Sequence, residues 1–273
     1  MKDWSWRVEE PGDSARLGLR YEPGNWGDVL KGVWLVELAA ALSTRAGRTL
    51  RYGDPFAGAP TWPAVGRAAE RIAAAPGGFA SLQAPYLAAG LVASTGRIAH
   101  DAAARGLESL VFEADEVRRD AWRSVPGCRV AGVDDGWRLL EADELADRDL
   151  VLVDPFDLDR TDRYRPALPH LARLSEAGVH RLLYLFNRSP RGPGNLREYR
   201  RLRERLGEAL GREPDAVGRV PTDGLLPRAW HEVLLVSARG AAVPIEAAQV
   251  ETLRQATETL AWRILRPGCF EGP

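Results

Sequence analysis

The run Leu150-Val151-Leu152-Val153-Asp154 decides the fold. Four consecutive apolar residues that end in a carboxylate read as a strand buried on both faces, because a strand with one wet face alternates apolar with polar positions. Arg181-Leu182-Leu183-Tyr184-Leu185-Phe186 and Glu232-Val233-Leu234-Leu235-Val236 repeat that character. Shorter runs of the same kind lie at Thr49-Leu50-Arg51-Tyr52-Gly53, Ser109-Leu110-Val111-Phe112-Glu113 and Arg129-Val130-Ala131-Gly132-Val133, with a further one near 216–220. Helical spacing fills the intervals. Leu30, Val33, Trp34, Leu38, Ala41 and Leu42 define a helix from about 26 to 45 with Gly47 beyond its end, and helices follow near 116–123, after Asp135, at 164–177, at 195–210 and at 245–265. This alternation predicts an α/β, Rossmann-like fold: a mostly parallel sheet with helices on both faces.

A chain of 273 residues that is 45% hydrophobic suffices for a single domain spanning 1–273. Residues 1–20 are polar around Pro11-Gly12 and read as an N-terminal arm. From about 60 to 106 the chain is alanine-rich, interrupted by Pro63, Pro76-Gly77-Gly78 and Pro85, which predicts a small helical insertion or cap with no strand. The formal net charge of −1 gives no global attraction to nucleic acid. Arginines outnumber acids between Asp159 and Arg219, either as a local patch or as solvated surface. Two cysteines, Cys128 and Cys269, form no CxxC pattern, which argues against a disulfide framework and fits a reducing cytoplasm. His100, His170, His180 and His231 show no metal-ligand spacing, no apolar run approaches the ~20 residues of a membrane span, and Met1-Lys2-Asp3-Trp4 does not open a signal peptide. Trp34, Trp122, Trp137 and Trp262 read as core, whereas Trp4, Trp6 and Trp26 are candidates for a pocket lid.

In an open α/β sheet, ligands bind beyond the carboxyl ends of the strands. Acids gather there: Asp54, Glu113, Asp135 and Asp154. Any one of them alone can equally be a helix N-cap; together they suggest a bound adenosine. Glu113 is placed to accept from both ribose hydroxyls, Asp135 from the adenine amine, and Gly58 lets the Asp54-Pro55-Phe56-Ala57-Gly58-Ala59 loop approach a ligand. That loop stands where a phosphate-binding G-x-G-x-x-G would be. Adenosine without a pyrophosphate points to S-adenosylmethionine. A second motif, Gly24-Asn25-Trp26-Gly27-Asp28-Val29-Leu30-Lys31, presents a lysine from a helix start, either inward toward the cofactor or as a snorkelling surface side chain.

Gly24-Asn25, Asp28-Val29-Leu30-Lys31, Asp54 with Ala57-Gly58-Ala59, Glu113, Asp135-Gly136-Trp137 and Asp154-Pro155 together resemble the RlmJ family of S-adenosylmethionine-dependent methyltransferases, which methylates an adenine amine in 23S ribosomal RNA. The similarity runs from about Leu19 to the final helix. It implies a class I methyltransferase fold, cofactor contacts from Asn25, Lys31, Asp54, Phe56, Gly58, Glu113, Asp135, Gly136 and Asp154, and catalytic roles for Asp154 and Lys31. Asp154 would accept from the target amine, Asn25 would hold the turn that presents Lys31, and Phe56 stands where the family tends to have histidine. The departures fall on the acceptor side. The family's Asp-Pro-Pro-Tyr reads Asp154-Pro155-Phe156-Asp157 here, so that either Phe156 serves as stacking platform or the acceptor has changed, with Asp157 as a base; Glu22 replaces a histidine before the turn, and an earlier one falls on Leu19. The basic loop Arg188-Ser189-Pro190-Arg191-Gly192-Pro193-Gly194 is placed to grip RNA phosphates or is plain surface loop. Three functions follow as expectations: methylation of a ribosomal RNA adenine with RNA as partner, methylation of a small molecule or protein, or cofactor or RNA binding without catalysis.

Overall fold

The computed structural model describes residues 22–154, 161–187, 193–222 and 230–265. The expected arm at 1–20, the acceptor residues Phe156 and Asp157 and the loop at 188–192 lie outside the described residues.

Among those residues a seven-stranded sheet runs in the order β5-β4-β1-β6-β7-β9-β8. Here β1 is Leu50–Asp54, β4 Leu107–Val111, β5 Cys128–Val130, β6 Leu150–Val153, β7 His180–Asn187, β8 Ala216–Pro221 and β9 Trp230–Val236. The first five in that order are mutually parallel, and β9 runs antiparallel to both β7 and β8. The helices are α1 (Trp26–Ala46), α2 (Ala68–Ala73), α3 (Phe79–Ala88), α4 (Thr95–Ala102), α5 (Glu116–Arg123), α6 (Gly136–Glu141), α7 (Thr161–Glu176), α8 (Pro193–Leu210) and α9 (Ala247–Leu265).

The apolar strand runs are explained by two separate cores. Leu150 and Leu152 join Leu50, Tyr52, Leu182, Val233 and Leu235 under α1 and α9, while Val151 and Val153 join Leu183, Leu185, Leu234 and Val236 under α7 and α8. Successive side chains on a strand point to opposite faces, so a sheet covered on both sides needs every position apolar. α1 itself is almost wholly buried because it packs against α4, α9 and the β8–β9 edge. Its termini are built as the sequence suggests: Asn25 caps the start, and Gly47, at φ 64°, ends it in a left-handed conformation that a side chain would disfavour.

The segment at 60–106 is not purely helical as expected. Thr61–Pro63 (β2) pairs antiparallel with Leu91–Ala93 (β3), and α2 and α3 fill the span between them. Three-residue strands are too short to show a period, which is why the sequence hides them. The buried Gln83 amide secures the pair, donating to the Ala93 carbonyl (2.8 Å) and accepting from its N–H (3.0 Å). Two tryptophan expectations also change. Trp26 is buried at the start of α1 and is no lid, and Trp262 is 42% exposed on α9.

Trp34 meets β8 through a glycine. Its indole N–H donates to the Thr257 hydroxyl (2.9 Å), and a methyl group added at Gly218 would lie 2.5 Å from the indole and 2.8 Å from that hydroxyl. Gly218→Ala is expected to destabilise the protein by about 1–3 kcal/mol through overpacking, while Gly132→Ala, where the added carbon meets nothing within 4 Å, serves as a near-neutral control. Thermal unfolding of the two variants checks this.

Candidate active site at the carboxyl edge of the sheet

From β1 the chain passes to β4 and β5 on one side of the sheet and then returns through β6 to the other side. The carboxyl ends of β1 and β6 therefore flank the switch point where such sheets bind ligands. Asp54 is the last residue of β1, and Asp154 directly follows β6.

The turn before α1 is a closed hydrogen-bond unit. Asn25 Oδ1 accepts from the N–H groups of Gly27 (2.8 Å) and Asp28 (3.1 Å), and its amide donates to the Glu22 carbonyl and to Asp28 Oδ2, both at 3.1 Å. The Gly24 N–H also donates to Asp28 Oδ2 (3.0 Å), and Gly24 holds φ 77° against the side chain of Ala68. With Asp28 fixed in this way, its Oδ1 lies 3.1 Å from the Lys31 ammonium. Lys31 is 5% exposed, which removes the surface-lysine alternative. Its ammonium also donates to Asp154 Oδ2 and sits 4.4 Å from the centre of the Tyr184 ring. Two carboxylates and an aromatic face thus surround one buried cation, an arrangement that offsets its desolvation.

Burial pushes the Asp154 carboxyl up to about 6 despite the opposing pull of Lys31, and Asp28 adds to the rise. Asp54 is 1% exposed and is pushed up to about 7 by burial, against hydrogen bonds from the Phe56 N–H (3.1 Å) and the Tyr52 hydroxyl (3.0 Å). Asp54 therefore anchors the turn into the Pro55–Pro60 loop.

The residues expected on an adenosine side separate into two kinds. Glu113 lies two residues past β4, is 7% exposed, and accepts from the Asp115 N–H (2.8 Å) with Arg118 at 3.8 Å; burial raises its pKa. Asp135 lies five residues past β5 and is exposed. Its carboxylate caps α6 by accepting from the Trp137 N–H (2.9 Å), so the strand-end description fails for it and helix capping explains it. Gly136 is required by contact, since an added carbon would sit 2.0 Å from the Pro55 carbonyl. Phe56 packs edge-on against Trp137 at 4.9 Å, and Gly58 holds φ 63° with its carbonyl bound by the buried Trp122 indole at 2.7 Å. Glu22, where the resemblance has histidine, pairs with the buried Arg71 at 2.9 Å and accepts from the Arg67 N–H, tying the turn to α2.

Tyr184 and His231 escaped the sequence analysis. The Tyr184 hydroxyl and His231 Nδ1 are hydrogen bonded at 2.7 Å beneath the first turn of α1, where a carbon added at Gly27 would meet both at 2.4 and 2.6 Å. The signal available was a polar ring in each strand, Tyr184 within the apolar run 182–186 and His231 beside Glu232 at the start of β9.

No family model and no curated protein matches the sequence. Among solved structures, protein LPL1258 from Legionella pneumophila, described under the family model DUF519, is similar at 13% identity with a TM-score of 0.64, over 90% of this chain and 94% of that one. Human methyltransferase-like protein 13 in complex with SAH aligns at 10% identity and a TM-score of 0.41, over 88% and 94% of the two chains. A putative O-methyltransferase from Klebsiella pneumoniae aligns at 16% identity and 0.40, over 85% and 93%. The fold is the Rossmann-like class I methyltransferase fold.

The raised carboxyls set a pH dependence. An acid whose pKa is higher folded than unfolded holds extra protons in the native state, so stability falls as pH rises from about 4, the ordinary carboxylate value, through the folded values of about 6 and 7. Asp54→Asn is expected to remove its share of this slope, raising stability at pH 8 by up to about 4 kcal/mol while changing little at pH 4. Denaturant unfolding at the two pH values measures it.

Proposed function

We propose that this protein is an S-adenosylmethionine-dependent methyltransferase whose acceptor is an adenine amine in ribosomal RNA. The observation that carries the reading is the Lys31–Asp154 pair at the switch point: a carboxylate at the end of β6, held by a buried ammonium and still 19% exposed. The RNA acceptor rests on the resemblance of the turn and of the Asp154-Pro155 motif to the RlmJ family.

The residues fit an adenosine ligand. Glu113 is a buried carboxylate beyond β4 with Oε1 anchored by a backbone N–H, which leaves acceptor capacity for ribose hydroxyls. Gly58 gives the Pro55–Pro60 loop one position without a side chain, Gly136 lets the α6 start pack directly on the Pro55 carbonyl, and Asp135 stands beside Gly136. S-adenosylmethionine supplies, when bound, an electrophilic methyl group. The work left to the chain is positioning. Asp154 accepts a hydrogen bond from the acceptor N–H and so orients the nitrogen lone pair. Lys31 keeps Asp154 ionised and fixed against β6, and Asp28 and the Asn25 turn fix Lys31. Phe56 backs the adenosine side through Trp137.

S-adenosylhomocysteine titrated by calorimetry is expected to bind; no heat at millimolar ligand overturns the reading. With tritiated cofactor, ribosomal RNA lacking the modification is expected to be labelled, and Asp154→Ala to slow labelling by about 100-fold while S-adenosylhomocysteine affinity stays within about threefold. Cofactor binding without labelling of RNA removes the RNA acceptor and leaves a small-molecule or protein acceptor, or binding without catalysis.

A further inference from the structure

Arg118, in the first turn of α5, joins the insertion to the end of β4. Its backbone N–H donates to the Asp115 cap at 2.9 Å, its guanidinium lies 4.8 Å from the centre of the Trp62 ring, and its Nη1 is 3.8 Å from Glu113 Oε2. Trp62 belongs to β2 and is 8% exposed. A side chain of the hairpin at 61–93 therefore backs a cation that faces the strand-end acid.

Further contacts fix this arrangement. The Pro55–Pro60 loop runs beside the end of β4, with the Ala57 N–H donating to the Phe112 carbonyl (3.2 Å), and a carbon added at Gly58 would lie 3.3 Å from the Trp62 indole. Trp122, four residues after Arg118, donates its indole N–H to the Gly58 carbonyl. Residues four apart share a helix face, so one face of α5 grips the loop through Trp122 and the hairpin through Arg118.

The spacing from the carboxylate has a chemical consequence. Burial disfavours the charge of Glu113, and the neighbouring Asp115 carboxylate opposes it too, whereas Arg118 favours it. At 3.8 Å the guanidinium is beyond hydrogen-bond length, so it matches that charge without consuming the lone pairs of Oε2, which a closed ion pair would occupy. Oε1 is anchored by the Asp115 N–H. Such a carboxylate suits a neutral hydroxyl donor: an anion would meet the charge of Glu113, and a cation would meet that of Arg118. We propose that Arg118, stacked on Trp62, is a positioning residue that holds Glu113 for a ribose hydroxyl, which makes the insertion part of the ligand site; this rests on the methyltransferase reading and adds to its cofactor side.

S-adenosylhomocysteine is titrated by calorimetry at pH 6 and pH 8 into wild type, Arg118→Gln, Arg118→Lys, Glu113→Gln and the double variant Arg118→Gln/Glu113→Gln, with melting curves confirming that each is folded. Arg118→Gln is expected to weaken binding about tenfold, more at pH 6 than at pH 8, because a carboxyl that has lost its cation takes up a proton more readily. The Asp54 and Asp154 titrations are common to these proteins and cancel in the comparison with wild type. Arg118→Lys, which keeps the charge, is expected to stay within about threefold, and with Glu113→Gln in place Arg118→Gln is expected to change affinity by less than about twofold. An Arg118→Gln effect that is absent, equal at the two pH values, matched by Arg118→Lys or undiminished in the double variant overturns the positioning role. If S-adenosylhomocysteine gives no heat, adenosine is titrated into the same proteins by ligand-observed NMR. Weakening by Arg118→Gln that requires Glu113 then leaves the positioning role standing while the methyltransferase reading fails, and no binding of adenosine at 10 mM, on the order of the weakest measurable affinities, overturns both.

Discussion

The ammonium of Lys31, buried between Asp28 and Asp154 and against the Tyr184 ring, is the constraint on which the rest of the site depends. A charge removed from water must be matched, and the match ties together three parts distant in sequence: the start of α1, the end of β6 and the middle of β7. Each partner is held by further bonds. Asp28 is fixed by Gly24 and Asn25, and Tyr184 by His231. The glycines in this region follow from the same crowding. Gly27 is small because the Tyr184–His231 pair leaves no room above it, and Gly24 is small because the turn needs a positive φ beside Ala68.

The sheet supplies the frame for this contact. Parallel strands buried on both faces bring their carboxyl ends to one edge, and the reversal of strand order between β1 and β6 opens the crevice there. Acids at that edge lose water, and burial pushes the Asp54 carboxyl up to about 7 and the Asp154 carboxyl up to about 6. Away from the edge, buried charges are paired structurally: Glu232 lies beneath Arg219 on the β8–β9 hairpin, and Asp149 is bonded to Arg48.

The two sides of the crevice differ in how they are built. Beyond β1 and β5 the edge is built from helix starts and a short loop pinned by indoles, with Trp122 holding Gly58 and Trp137 receiving Phe56. Beyond β6 it is built from side chains projecting from neighbouring strands, Tyr184, Phe186 and His231, which the sheet aligns at strand spacing.

The sequence alone determined the alternation of strands and helices, the two-sided burial of the sheet and the gathering of Asp54, Glu113 and Asp154 at strand ends, because periodicity and strand-end position are local properties. It left open whether Asp135 caps a helix, which its bond from the Trp137 N–H shows, and it overlooked β2 and β3, which are too short to carry a period. Tertiary structure alone decided that Lys31 is buried and paired with Asp154, 123 residues away, and that Tyr184, Phe186 and His231 stack beside them. Those relations depend on strand order and register, which bring together side chains whose separation along the chain holds no trace of their contact.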